Sequence, residues 1–471
     1  MKLFQTKKYL SPNSSSYIFL TIFVVLLFLF LRFYQIPNSL FFFNDMGRDA
    51  YALQAWQETG KPPLLGPQTS ALAFNQSALY FYLLYPLFLL TKASPLSPLF
   101  TSALIYLSSF FFSLYLAKNQ AKLKKAIILV FFLFTIHPQH IIQNRYIWNP
   151  SLVPPFMLVA FTSLNLLLLK TKEKINQKLY LWIFSLSLAT AISLSYSVLP
   201  VALAIFIYLF LKQRSTFFRL LFPFPSSLFL LNLPTVFFEL RHKFILTSTV
   251  ISRSVSSQGT ISILEKFQNL ITHSFNLPNI LISLLFLLLL LSKTKKPYPA
   301  IIFLSLLAFL LFPVNPQAHY IFGLSTLIFF ATTSFQPLLK TLVFSVLIIS
   351  YLSPTRLSSY FAPAPRTYQQ MLSCYQKFCS TATDPIFVSV NSSYHPYHHG
   401  PEHRYLLKKA GCKVIDQETS PNATNLMAVI ADGGQYEHQK TQFFELEVFG
   451  NSNQLSKTAC QDNLNIYLLQ R

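Results

Sequence analysis

The sequence predicts an α-helical polytopic membrane protein that crosses the bilayer about eleven times and carries a small α/β domain at its C-terminal end. Three observations predict it. Hydrophobic residues make up 52% of the 471-residue chain and charged residues only 11%, and the mean hydropathy of +0.44 lies beyond ordinary soluble domains. Apolar runs recur as far as residue 353, most of them close to the roughly 20 residues that cross about 30 Å of hydrocarbon as a helix. Composition then turns polar and turn-rich, and all four cysteines (Cys374, Cys379, Cys412 and Cys460) lie beyond residue 373.

Residues 1–16 read as a cytoplasmic leader and 17–353 as the membrane domain. The apolar runs fall at 17–36, 98–117, 126–142, 152–169, 179–196, 198–211, 217–238, 278–291, 298–312, 319–335 and 341–353. The first is too long for a signal peptide and no small-residue cleavage pattern follows it, so it stays as a helix. A net charge of +22 does not point to nucleic acid, because the basic residues are dispersed in short bursts between the runs: Lys2 to Lys8, Lys118 to Lys125, Lys170 to Lys178, Lys212 to Arg219, Lys293 to Lys296, and Lys340. If these mark the cytoplasmic face, each is separated from the next by two crossings. That puts the N-terminus inside and the C-terminal domain outside a plasma membrane. The alternation holds only if 77–91 does not cross, so it reads as an interfacial helix within one outside loop, 37–97.

The tail, 354–471, alternates β-rich stretches at 385–391, 425–431, 442–449 and 464–469 with helical patterns at 366–379 and 401–410, a small α/β domain. Four cysteines in an exported domain fit one or two disulfides with three pairings open; buried free thiols are the alternative. Tyr394, His395, Tyr397, His398 and His399 read as a polar surface loop rather than a ligand site.

Before residue 353 the acids are Asp45, Asp49, Glu58, Glu173, Glu239 and Glu265. Charge at a membrane boundary is costly unless used. Topology leaves Glu173 in the cytoplasm, and of the others only Asp45, Asp49 and Glu239 sit at or near helix ends. Asp45 and Asp49 are four apart and share a face if helical. Either could instead cap a helix starting near residue 48, Asp49 more readily than Asp45. Polar groups gather on the same side: Arg145 and Asn149 in the stretch 143–150, then Glu239, Arg241 and His242, then His319 and Tyr320. The planar fork of Arg suits phosphate. Singly each Arg reads as an interface anchor; together they describe a base beside an anion site at a bilayer surface. Tyr51, Trp56, Phe74, Tyr80, Phe81, Tyr82 and Tyr85 would line a groove for a polyprenyl chain or form an aromatic belt.

The acidic Asn-Asp-Met-Gly-Arg-Asp at 44–49, the long outside loop and the NRYIWNPSL stretch at 144–152 resemble the GT-C glycosyltransferases, specifically the dolichyl-phosphate-mannose protein mannosyltransferases and the bacterial lipid A aminoarabinose transferases. The resemblance covers roughly 17–353. Asp45, Arg48 and Ala50 match the first family motif, Met46 stands where the family has Glu, and FELRH at 238–242 and His319-Tyr320 look similar to outer-face motifs. The stretch Phe74 to Leu79 lacks the prolines and the basic residue of many members, which shifts weight to Arg145, Arg241 and His242.

The resemblance implies a sugar donor on a polyprenyl phosphate, an extracytoplasmic acceptor of unknown identity, and inversion by single displacement with Asp45 as general base. It implies Arg145, Arg241 and His242 on the donor phosphate; Arg48, Asn149, Glu239, His319 and Tyr320 belong with the substrates. Asp49 is the second choice for the base, or orients Arg48. No cofactor is required, and a divalent Mg or Mn ion between Asp45 and Asp49 is the alternative. A transporter or flippase is the competing class, but it would place ionisable groups near the bilayer midplane, and the predicted spans hold almost none there.

Overall fold

The computed structural model describes the chain except residues 1–13, 69–74, 170–173, 250–261, 295–296, 312–314, 383, 393–399, 416–418, 434–435, 439 and 442. Phe74, Glu173 and the histidine-rich stretch 394–399 therefore lie outside the described residues. The first half runs α1 (Ser14–Phe33), α2 (Ile36–Ser39), α3 (Asp45–Thr59), β1 (Leu65–Gln68), β2 (Asn75–Ser77), α4 (Leu79–Leu90), α5 (Ser97–Leu116), α6 (Ala121–Ile136) and α7 (Pro138–Arg145).

Each of the eleven apolar runs is helical, but they do not form eleven straight spans. Among the described residues three helices are by themselves long and apolar enough to cross a membrane, or up to seven if each bent pair is one span. The bends are 67° between α6 and α7, 68° before Leu233–Arg241, 80° between Ile263–Phe275 and Ile280–Lys293, and 53° before Pro354–Tyr360. A proline stands at or just after every break: Pro138, Pro234, Pro278 and Pro354. Its ring excludes the preceding turn and it has no N–H to continue the ladder, so hydropathy runs straight on while the backbone turns. Helix α4 has 12 residues, about 18 Å at the α-helical rise, too short for a span; the interfacial reading of 77–91 fits that length.

Two buried arginines fix the first span. The guanidinium of Arg32, in the last turn of α1, donates to the carbonyls of Phe134 and Thr135 at 2.6 and 2.5 Å, at the end of α6. In return Arg145, at the end of α7, donates to the carbonyls of Leu31, Arg32 and Tyr34 at 3.3, 3.2 and 3.0 Å, and to Ser39 Oγ. Carbonyls at a helix C-terminus lack intrahelical partners and carry partial negative charge, so a cation there both satisfies and stabilises them. The exit of α1, and with it the path to Asp45, is thereby set.

The tail forms one sheet in the order β3 (Ile386–Ser392), β4 (Leu426–Asp432), β6 (Leu464–Gln470), β5 (Asn453–Ala459), counted in chain order. β3 and β4 are parallel; β4–β6 and β5–β6 are antiparallel. Tyr368–Cys379 and Pro401–Lys409 cover one face, while Phe449, Tyr436 and Tyr467 join Met427 and Val429 on the other. Every residue of β4 is buried, which is why it reads as a continuous apolar run rather than an alternation. The expected strand at 442–449 is instead a short helix, Phe444–Phe449. The fourth strand is β5, a largely exposed polar edge that gives no apolar signal. The cysteines pair as Cys374–Cys460 and Cys379–Cys412.

Candidate active site at the start of helix α3

Helix α3 begins at Asp45, three residues before the expected start. Asn44 precedes it at φ 47°, ψ −110° and makes no side-chain cap. Neither aspartate is therefore the N-cap: Asp45 is the first helical residue and Asp49 lies in the second turn. Tyr146, from the NRYIWNPSL stretch, pins the junction. Its hydroxyl accepts from the Asp45 N–H at 3.1 Å and donates to the Phe43 carbonyl at 3.1 Å, linking two motifs a hundred residues apart.

Arg48 lies between the two acids. Its Nη1 pairs with Asp45 Oδ1, while Nη2 and Nε reach Asp49 Oδ1 at 2.8 and 2.9 Å. The two carboxylates differ sharply in environment: the Asp45 side chain is 20% exposed and that of Asp49 1%. Burial pushes the Asp49 carboxyl up to about 6, with Asp45 adding to the rise and Arg48 opposing it. Tyr80, fully buried on α4, lies against Asp49. The Trp56 ring of α3 stacks on Tyr85 of α4 at 3.6 Å, so part of the aromatic set joins these two helices.

A divalent ion between Asp45 and Asp49, the alternative to a cofactor-free site, would have to displace the Arg48 guanidinium, which pairs with both carboxylates there. Among the described residues one other group could converge on a cation: Glu402, His403 and Asp432, whose ligand atoms lie within 4.8 Å of one another. Arg366 Nη2 already stands 2.5 Å from Asp432 Oδ1, so this cluster too holds a resident cation.

The remaining expected site residues are more scattered. Arg145 is engaged in tying α1, as described, and a phosphate would have to displace those carbonyls. Asn149 donates to the Leu194 carbonyl at 2.8 Å. Glu239 accepts from the Leu246 and Thr247 N–H groups at 2.9 and 3.1 Å and from Thr247 Oγ1 at 2.6 Å, capping the short helix at 245–249. Arg241 and His242 are exposed, with the His242 ring stacked on Phe238 at 4.1 Å. His319 packs between Trp148 and Tyr320 at 4.3 and 4.2 Å. No hydrogen bond or ion pair among the described residues joins 239–242 or 319–320 to Asp45 or Asp49. Sequence reasoning gave Tyr146 no role although it stood inside the NRYIWNPSL stretch, and read Tyr80 only as a groove or belt aromatic; the contacts with Asp45 and Asp49 distinguish both.

The helical bundle with its bent helices, the two helices α3 and α4 after the first apolar helix and the small α/β tail form a fold that solved structures share. ArnT from Cupriavidus metallidurans bound to undecaprenyl phosphate superposes with a TM-score of 0.68 at 11% identity, covering 97% of this chain and 98% of that one; its apo state gives 0.66 over the same shares. The Archaeoglobus fulgidus oligosaccharyltransferase in complex with Zn and sulfate gives 0.50 at 12% identity, over 88% of this chain and 68% of that one. No family model matches the sequence, and no curated protein matches it.

Proposed function

We propose that the chain is a multi-pass membrane glycosyltransferase that moves a sugar from a polyprenyl-phosphate-linked donor to an extracytoplasmic acceptor. The observation that carries this is the Asp45–Arg48–Asp49 triplet at the start of the first outside helix of a GT-C fold, one member of which was crystallised with undecaprenyl phosphate. The N-terminus is cytoplasmic and the tail outside in this reading.

Asp45, the open carboxylate, takes the proton from the acceptor hydroxyl as its oxygen attacks the anomeric carbon. The bond from that carbon to the phosphate oxygen breaks, the polyprenyl phosphate leaves with the electron pair, and the anomeric configuration inverts. Arg48 aims the Asp45 carboxylate, and buried Asp49 holds Arg48. Arg241 and His242, exposed at a helix end, are assigned to the charge that develops on the leaving phosphate. Arg145 acts from behind through α1, and His319 with Tyr320 offers hydrogen bonds to a sugar.

The test is to incubate purified protein with a panel of polyprenyl-phospho-sugars and cell-envelope acceptors. Release of polyprenyl phosphate coupled to sugar transfer is expected for one donor. Consumption of none, by protein that is folded, would contradict the assignment.

A further inference from the structure

Asp45 is reached from the C-terminal domain on both sides. Upstream, the Ala364 N–H donates to the Asn38 carbonyl at 2.8 Å, Phe42 packs on Tyr368 and Tyr405 with ring centroids 6.0 and 5.5 Å apart, and the Arg366 guanidinium stands 5.7 Å over the Phe41 ring. Downstream, the Pro401–Lys409 helix lies directly on α3. A Cβ added at Gly47 would fall 2.3 Å from Glu402 Cβ, 2.5 Å from its Cα and 2.6 Å from its N. The neighbour is backbone and cannot swing aside, so only glycine admits this approach. Lys408 Nζ adds an ion pair to Glu58 at 2.7 Å.

Between these two holds lies Asn44, at a positive φ that non-glycine residues seldom adopt and that persists only where the surroundings impose it. Behind the contact with Gly47 is a sealed charge cluster. Arg366, Glu402, His403 and Asp432 are each 1% exposed or less. His403 Nε2 lies 3.6 Å from Glu402 Oε1 and 3.5 Å from Asp432 Oδ2, and Tyr375 Oη lies 2.5 Å from His403 Nδ1. Buried ionic groups are poor evidence for stability, but they tolerate few arrangements and so fix register.

We propose that the C-terminal domain is a positioning element of the transfer site: its buried Arg366–Asp432–His403–Glu402 cluster fixes the Pro401–Lys409 helix against Gly47, so that the domain holds Asp45 from both sides at the Asn44 turn. The proposal rests on the glycosyltransferase reading for its consequence, but not for its geometry.

Gly47→Ala and Asp432→Asn test it; both residues are buried. Each should lower kcat by about a hundredfold, the cost of misplacing reacting groups by about 1 Å, with the donor KM unchanged, and should speed amide exchange over 45–59. Phe449→Ala, which loosens the opposite face of the same sheet, should keep kcat. If Gly47→Ala does not fold, Asp432→Asn decides. A folded variant with wild-type kcat and wild-type exchange over 45–59 overturns the proposal, as does a Phe449→Ala control that loses as much kcat as Gly47→Ala. Wild-type protein that transfers no sugar contradicts the functional reading alone; the exchange measurement then still decides the positioning.

Discussion

Substituting Asp49 by Asn removes the one fully buried carboxylate of the site while keeping its shape. Its pKa of about 6 in the folded protein stands about two units above an unperturbed Asp, equivalent to about 3 kcal/mol of folding free energy. The native state binds this proton more tightly than the unfolded chain. The group's contribution to stability is therefore greatest below about pH 4, is lost as pH rises toward about 6, and is level above that. Asparagine has no such proton, so the stability difference between wild type and Asp49→Asn should decline by about 3 kcal/mol from pH 4 to 7, read by unfolding in detergent across that range. Catalysis should move the other way. Ionised Asp49 accepts from Arg48 Nε and pairs electrostatically with its Nη2, so wild-type kcat/KM should fall below about pH 6, and the variant should lack that limb and turn over about tenfold more slowly at pH 7, the loss of one charge-assisted contact. A wild-type stability curve parallel to that of the variant, together with an unchanged acid limb, would refute the burial argument.

Arg145→Ala should cost about 3 kcal/mol of stability through the unsatisfied α1 carbonyls, measured by thermal melting, whereas Arg241→Ala should leave melting unchanged and raise the donor KM. Cysteine introduced at Tyr85 should label with an impermeant reagent from outside, and at Ala121 only after permeabilisation; both described disulfides occupy the native cysteines, so the background is low. Reversed labelling at 121 would overturn the orientation. Breaking Cys374–Cys460, which spans 86 residues, should lower the stability of the tail by about 4 kcal/mol, read as a shift in its melting under reductant.

Hydropathy located most of the apolar helices because burial in lipid demands long apolar runs, and the change of composition near 353 located the tail; the amphipathic Ile263–Phe275 fell outside every run. It could not locate the bends, since averaging over Pro138 or Pro234 hides a single missing N–H. The start of α3 was misplaced because Asn44 has no local reason to adopt positive φ; the domain around it supplies one. The polar edge strand β5 carries no burial signal, so the Phe444–Phe449 segment took its place in the pattern. Arg145 shows the limit for sites: a lone arginine at a membrane boundary suits a phosphate and a helix end equally, and only the Leu31 to Tyr34 carbonyls distinguish them. Gly47 and Glu402, 355 positions apart, were connected by nothing in the linear chain.

The central claim is that Asp45 takes the acceptor proton. Asp45→Asn, checked for a wild-type melting temperature, should be assayed with the donor that wild type consumes. The account predicts a loss of at least about a hundredfold in transfer, the contribution of a positioned general base, with the donor still bound. Transfer at the wild-type rate would contradict it.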